Sequence, residues 1–144
     1  MADLLEVMNA QREGWNVTMG LRFTTATPEL VVGRLTVAAQ HLQPFGIVHG
    51  GVHCGVIEAA CSVGAAVAAA SRGHVGGVVG LENSTSFIRA VRLGAELEAR
   101  ATPLTRGKTT HVWQCEIREV VGDAPGPIVA TGRVRLLCIA KDQV

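Results

Sequence analysis

The most apolar part of the chain lies within Gly50-Gly-Val-His-Cys-Gly-Val-Ile-Glu58-Ala-Ala-Cys-Ser62-Val-Gly-Ala-Ala-Val-Ala-Ala-Ala70. Glycine or alanine stands on nearly every side of the helix that this stretch would form, so other elements can pack closely around it. Gly73 can end the helix in the left-handed conformation. A membrane span would hold Glu58 only at considerable cost. The stretch therefore predicts a core helix from about Gly51 to about Ser71, and no membrane partner.

Polar and apolar residues alternate in the last third of the chain, which is typical of half-buried strands. The pattern is clearest in residues 96 to 101, 111 to 118 and 133 to 138. It indicates about four long strands between Val75 and Ala140. Turn signals at residues 107 to 108 and 122 to 123 predict that consecutive strands pair as an antiparallel meander.

The part of the chain before the core helix predicts a short helix and two strands. Residues 3 to 13 carry apolar residues at helical spacing, with Asp3 as N-cap and Gly14 as the stop. Residues 18 to 23 and 30 to 38 are rich in β-formers and are separated by a turn at residues 27 to 29. The predicted fold class is α+β, with one antiparallel sheet wrapped around one long helix in a single domain, residues 1 to 144.

Composition excludes several classes of function. The 144 residues carry 13 Lys and Arg against 12 Asp and Glu, a net charge of +1, so nucleic acid is not expected as the main partner. The four cysteines form no C-x-x-C pair, and no signal peptide opens the chain. We expect a cytoplasmic protein with reduced thiols.

Glu58 is the sharpest anomaly, because it is a carboxylate in an otherwise apolar helix. It either faces a polar cleft or has its charged form destabilised by desolvation, and both are common for catalytic acids and bases. Ser62 lies on the same helix face and could bond the carboxylate or a water. The alternative is a structural ion pair of Glu58 with Arg89 or Arg92.

Gly50 and Gly51 open the helix without side chains, so backbone N–H groups at the positive end of the helix dipole could meet a developing oxyanion. A tight turn is the alternative interpretation of this pair. Glu58 lies eight positions after Gly50, which is about 12 Å along a helix. Since both groups must approach one carbonyl, the site is expected to combine Gly50 of one subunit with Glu58 of another.

Two other chemistries are disfavoured. His49 and His53 have the spacing of metal ligands, but no third ligand stands at a suitable position, so no metal is expected. Cys54 and Cys61 lie among apolar residues, which would keep a thiol protonated.

The run Gln43-Pro-Phe-Gly-Ile-Val-His49-Gly50-Gly51-Val-His53-Cys-Gly-Val-Ile-Glu58 resembles the signature of the hotdog-fold acyl-CoA thioesterases. The resemblance is to the phenylacetate-pathway type and to the 4-hydroxybenzoyl-CoA thioesterase that uses Glu. Residues 82 to 89 and 106 to 110 also resemble the strand and turn patterns of that family. In all, it covers residues 30 to 137.

The resemblance implies a sheet of five to six strands around one helix, dimers whose sheets join edge to edge, and commonly a dimer of dimers. It implies an acyl-CoA substrate, aryl or medium-chain, and no cofactor. The implied catalytic residues are Glu58 as nucleophile or general base, Gly50 as the N–H that polarises the carbonyl, and Gln43, His49 and Ser62. The substrate-binding residues are Gly51, Asn83, Arg89, Arg106 and Lys108, with the three basic side chains as candidates for the coenzyme A phosphates.

Hydrolysis of an acyl-CoA thioester is therefore the leading hypothesis. Hydration of an enoyl-CoA on the same fold fits the arrangement of His49 and Glu58 poorly. A module that binds acyl-CoA or a small ligand without turnover is the alternative from another class, and a purely structural homo-oligomer is a third.

Overall fold

The computed structural model describes residues 4 to 143; the predicted N-cap Asp3 lies outside them. The elements, in chain order, are helices α1 (Leu4–Asn9) and α2 (Trp15–Met19), strands β1 (Arg22–Ala26) and β2 (Val31–Thr36), helix α3 (Gly50–Ala70), and strands β3 (Gly76–Phe87), β4 (Glu96–Arg106), β5 (Thr110–Val121) and β6 (Ala124–Ala140). Short 3-10 turns cover Ala39–His41 and Lys141–Gln143.

The six strands form one antiparallel sheet in the order β1-β2-β4-β5-β6-β3, and the sheet wraps around α3. The predicted fold class and the long central helix are confirmed. By length and composition α3 could cross a membrane, but ten of its residues are buried in the core of this domain.

The predicted order of the strands is wrong in one place. β4, β5 and β6 form the expected meander, but β3 pairs with β6 at the edge of the sheet and does not pair with β4. The chain between β3 and β4 crosses the start of α3, where the Val48 N–H donates to Val91 O at 2.9 Å and the Gly94 N–H donates to Val37 O at 2.9 Å. These bonds hold the connection between β3 and β4 in place across the start of α3, so that β4 lies beside β2.

The N-terminal prediction is also partly wrong, because α1 ends at Asn9 and a second helix, α2, occupies part of the predicted first strand. The Asn9 side chain donates to Phe23 O at 2.7 Å and accepts from the Phe23 N–H at 3.0 Å, which ties the end of α1 to β1. α2 ends at Gly20, whose φ is 69°. The helix places Trp15 against α3 at Gly55, a long-range contact that local β-propensity cannot anticipate.

The small residues of α3 allow aromatic rings to approach its backbone closely. A Cβ on Gly64 would lie 2.6 Å from Trp113 Cη2, and Trp113 is fully buried. A Cβ on Gly55 would likewise lie 2.6 Å from Trp15 Cη2, but Trp15 is 41% exposed. The buried Trp113 ring therefore has no room to move away from an added Cβ, whereas the exposed Trp15 ring can shift.

Gly64→Ala is therefore expected to lower the free energy of unfolding by about 1–3 kcal/mol through overpacking. Gly55→Ala is the matched control, because the exposed Trp15 ring can shift and alanine has the higher helix propensity, so its effect should stay below about 1 kcal/mol. Urea unfolding of both variants measures the difference. Equal losses of stability would contradict this account of the packing.

Candidate active site

The start of α3 presents a free backbone donor. His49 is the N-cap, and its ring Nδ1 accepts the Gly51 N–H at 2.8 Å. The Val52 N–H donates to His49 O at 2.9 Å. The Gly50 N–H, the first of the helix, has no acceptor within residues 4 to 143. A free N–H at the positive end of a 21-residue helix is suited to bind a carbonyl oxygen that gains negative charge.

This donor opens into a cleft of about 320 Å³ between the start of α3 and the end of β3. The cleft is lined by Gln43, Ile47, Val48, Gly50, His53, Phe87, Ile88, Arg89 and Ala90. It brings together three of the predicted site residues, Gln43, Gly50 and Arg89. The Phe87 ring lies directly on Gly50, where an added Cβ would meet Phe87 Cζ at 2.7 Å.

Gln43 lies in the irregular segment before α3. Its Oε1 accepts the Phe45 N–H, and its backbone N–H donates to Ile47 O at 2.8 Å. These bonds fix the side-chain amide at the wall of the cleft, where its oxygen already accepts the Phe45 N–H. The amide Nε2 has no protein partner in the described part of the chain and is left to donate to a ligand.

His53 is a residue of the cleft that sequence reasoning considered only as a metal ligand. Its side chain is 3% exposed, its Nδ1 has no hydrogen-bond partner, and burial lowers the pKa of the imidazole. Its ring centroid lies 6.1 Å from that of Phe87. A neutral imidazole therefore packs beside Phe87, one helical turn after Gly50.

Glu58 lies farther along α3, against β3. Its Oε2 accepts a hydrogen bond from Asn83 Nδ2 at 3.0 Å, and the same Nδ2 donates to Cys54 O at 3.0 Å. The carboxylate is half-buried and forms no ion pair with any residue from 4 to 143. The alternative of a structural pair with Arg89 or Arg92 is not found. The structure places Glu58 in a partly open polar position instead.

Gly80, which sequence reasoning missed, makes room for this carboxylate. A Cβ on Gly80 would overlap Glu58 Oε1, so the carboxylate lies directly on the backbone of β3. The register with β6 shifts between Gly80 and Glu82, which marks a bulge. An isolated glycine within a strand pattern is the sequence signal of such a close approach.

Gly80→Ala is expected to displace the Glu58 carboxylate, because that side chain is the flexible partner in the overlap. If the carboxylate acts in catalysis, kcat falls by roughly 10-fold or more, while the unfolding midpoint changes little. Val79→Ala on the same strand is the control and should retain activity. Steady-state kinetics and thermal melts of both variants measure the two effects. Unchanged kcat in Gly80→Ala would show that the position of Glu58 on β3 is not needed for turnover.

Ser62 does not bond Glu58 in the structure of residues 4 to 143. It lines a second cavity, of about 460 Å³, between α3, β3 and the N-terminal helices. Gly51 lies beside the cleft, with its N–H held by His49. The predicted residues thus fall into two groups on α3, one at Gly50 and one at Glu58 and Ser62.

The basic residues are divided between the two ends of α3. Arg89 is exposed in the Gly50 cleft. Arg106 donates to Pro28 O at 2.9 Å and pairs with Glu29 at 3.4 Å, so it is held at the β1–β2 turn. Lys108 lines a separate cavity of about 270 Å³ with Arg72 and His111 at the other end of the helix. The structure does not bring the three predicted phosphate ligands together in one chain.

Other candidate nucleophiles and ligands are weaker. Burial raises the pKa of the Cys61 thiol well above its ordinary value, which keeps it protonated. All four cysteines are free. Within the described range no group of three or more His, Cys, Asp or Glu side chains is placed to hold a metal ion.

Comparison with known proteins gives a consistent result. A model of the family described as the thioesterase superfamily matches residues 45–123. A Mycobacterium tuberculosis protein, Rv1847, whose name assigns it to the esterases, is 38% identical over 118 residues, which cover 82% of this chain and 81% of that protein. The 1,4-dihydroxy-2-naphthoyl-CoA hydrolase of Escherichia coli is 31% identical over 119 residues, covering 82% and 85%. The crystal structure of AziG from S. sahachiroi matches with a TM-score of 0.78 at 39% identity, covering 90% of this chain and 99% of that one.

Proposed function

The chain belongs to the thioesterase superfamily and is a thioester hydrolase, and we propose that it hydrolyses an acyl-CoA thioester, aryl or medium-chain, at a site built from Gly50 and Glu58. The observation that carries the proposal is that α3 holds both a half-buried carboxylate, which forms no ion pair within residues 4 to 143, and a first N–H, which has no acceptor within the same residues. The whole chain, residues 1 to 144, acts as one such domain in the cytoplasm.

In the proposed reaction the thioester carbonyl oxygen accepts the Gly50 N–H, which stabilises the charge that develops on it. The Glu58 carboxylate either attacks the carbonyl carbon or removes a proton from the water that attacks it. The carbon–sulfur bond breaks, and coenzyme A leaves as the thiolate. Water supplies the oxygen of the acid product, so no cofactor is needed.

The remaining residues position these groups. Asn83 holds Glu58 by the hydrogen bond described above, and the Gln43 amide nitrogen is free to donate near the carbonyl. His49 fixes the start of α3 and the orientation of the Gly50 and Gly51 peptides through its ring. Ser62, one turn after Glu58, orients the attacking water.

We propose that Gly50 and Glu58 act across a dimer. The two residues are about 12 Å apart along one helix, which is too far for both to contact one carbonyl. β3 is a long edge strand that pairs with β6 alone among the described strands, and it exposes Leu81, at 49%, and Phe87, at 58%. Such an edge favours pairing with a second copy. If the β3 strands of two subunits pair antiparallel, the Phe87 end of one strand, which contacts Gly50, would lie beside the Gly76 end of the other strand.

A dimer of dimers is the expected assembly, and coenzyme A would be held at its surface. Arg89 is the candidate phosphate ligand at the Gly50 cleft, because it is exposed and unpaired among the residues described. Arg106 and Lys108 could act only from a neighbouring subunit, since they lie at the far end of α3.

Release of free thiol from a panel of acetyl-, octanoyl-, benzoyl- and naphthoyl-CoA tests the proposal. We expect cleavage of at least one aryl or medium-chain ester, and the preferred ester names the substrate class. Binding of these esters without cleavage of any of them would overturn the proposal in favour of a ligand-binding module.

A further inference from the structure

His53 is a buried residue of the Gly50 cleft to which the proposed reaction gives no role. Its side chain is 3% exposed, and it lines the cleft together with Gly50, Phe87 and Arg89. Its Nδ1 is enclosed without a hydrogen-bond partner, and its Nε2, which is not enclosed, has no partner in the described part of the chain either. A buried polar side chain without a partner is rare in folded proteins and indicates a specific role.

The imidazole of His53 lies over the first turn of α3. Side chains of a helix point toward its N-terminus, and residues three positions apart share a face. His53 is three positions after Gly50, so its ring is directed toward the end of the helix where the Gly50 N–H is free. The ring of Phe87 supports this placement, because its centroid lies 6.1 Å from that of His53 and its Cζ lies 2.7 Å from an added Cβ on Gly50.

The position of the ring hydrogen follows from the surroundings of His53. Burial lowers the pKa of the imidazole, so the ring is neutral at neutral pH and carries one N–H. A hydrogen on Nδ1 would leave an enclosed donor without an acceptor, which is the rarer arrangement in folded proteins. We therefore assign the hydrogen to Nε2, where a ligand in the cleft can accept it.

The thiol part of the substrate would lie in the same cleft. In the proposed reaction the thioester carbonyl accepts the Gly50 N–H, and Arg89, which is exposed in this cleft, contacts a phosphate of coenzyme A. The sulfur is bonded directly to the carbonyl carbon and lies on the coenzyme A side of it. The path from the carbonyl to the phosphates therefore starts at Gly50 and passes the wall that His53 helps to form.

We propose that His53 is a further catalytic residue, whose Nε2–H donates a hydrogen bond to the sulfur as the carbon–sulfur bond breaks. The inference rests on the proposed function. The electron pair of the broken bond stays on the sulfur, where a positioned donor stabilises the charge that develops. The imidazole keeps its proton. The thiolate takes a proton from solvent after it leaves, and the proton that the attacking water loses passes through Glu58 to solvent.

A matched pair of variants, His53→Gln and His53→Met, tests the inference. The two new side chains are nearly equal in length and shape, but only glutamine has an N–H, which can reach the position of the imidazole Nε2. For the acyl-CoA ester that the wild type prefers, we expect kcat to fall about 10-fold or more in His53→Met and less than about 3-fold in His53→Gln. Thiol release measures kcat, and thermal melts check that both variants fold.

The pKa of the coenzyme A thiol in its complex with the protein is a second readout, which does not depend on turnover. A donor at the sulfur favours the thiolate, so this pKa should be about one unit lower with the wild type than with His53→Met. With the wild type it should also lie below the pKa of free coenzyme A. The ultraviolet absorbance of the thiolate, followed against pH with desulfo-coenzyme A as the blank, measures it.

Equal losses of kcat in His53→Met and His53→Gln would overturn the inference. A thiol pKa that is the same with the wild type and with His53→Met would also overturn it. If neither variant folds, the wild type alone decides, because a bound thiol whose pKa is not below that of free coenzyme A contradicts the donor. In each case the proposed function stands while the wild type cleaves a CoA ester. If the wild type cleaves none, the proposed function fails first, and His53 loses this role with it.

Discussion

Glu58→Ala is expected to lower kcat for thioester hydrolysis by about 10²–10⁴-fold, the range for loss of a positioned general base. The carboxylate either forms a bond to the carbonyl carbon or accepts a proton from water, and alanine can do neither. Because Glu58 is half-buried and makes no ion pair in the described chain, its removal should leave the fold and coenzyme A binding nearly intact. Thiol release measures turnover, and calorimetric titration with coenzyme A measures binding.

Glu13→Ala is the control for this prediction. Glu13 is an exposed carboxylate between α1 and α2, away from β3, and forms no ion pair within residues 4 to 143, so its loss alters surface charge alone. We expect it to retain wild-type kcat. If Glu58→Ala turns over at the wild-type rate, the assignment of the carboxylate is wrong, whatever the control shows.

Gly50→Pro is expected to lower kcat by about 10²–10³-fold, because it removes the N–H that the proposed oxyanion needs. Proline suits the first position of a helix, where the N–H has no partner within the helix. His49 before it has φ −64° and ψ 135°, a conformation that a following proline favours. The helix should therefore form normally, and circular dichroism can check that it does.

Gly50→Ala separates the lost donor from the added side chain. Both variants place a Cβ against Phe87, whose ring is 58% exposed and can move, but only proline removes the N–H. Gly50→Ala should therefore keep most of the activity that Gly50→Pro loses. Equal losses in the two variants would mean that the ring of Phe87, not the backbone donor, controls turnover.

The fold was largely predictable because its strongest signals are local. The small residues of α3 and the alternation in β4 to β6 identify each element from its own residues. The position of β3 at the edge was not predictable in this way, since alternation shows that a strand exists but not which neighbour it pairs with. α2 was missed because Val17 and Thr18 favour strands, while the contact of Trp15 with Gly55 is distant in sequence.

The candidate site was predictable from the sequence only in part. Glu58 and Gly50 stand out because a carboxylate in an apolar helix and a glycine pair at its start are unusual in sequence. Gly80 was missed because its role is to leave space for a side chain from another element. The separation of Arg106 and Lys108 from Arg89 was likewise not predictable, because it depends on how the strands pass the two ends of α3.

The most direct test of the two-subunit site is to mix Glu58→Ala and Gly50→Pro chains, each nearly inactive alone, by unfolding and refolding them together. In a mixed dimer the Glu58→Ala chain supplies Gly50 and the Gly50→Pro chain supplies Glu58, so one of the two sites is complete. Random mixing should then restore about a quarter of wild-type activity. Activity no higher than that of the separate variants would contradict a site shared between subunits and would place both groups within one chain.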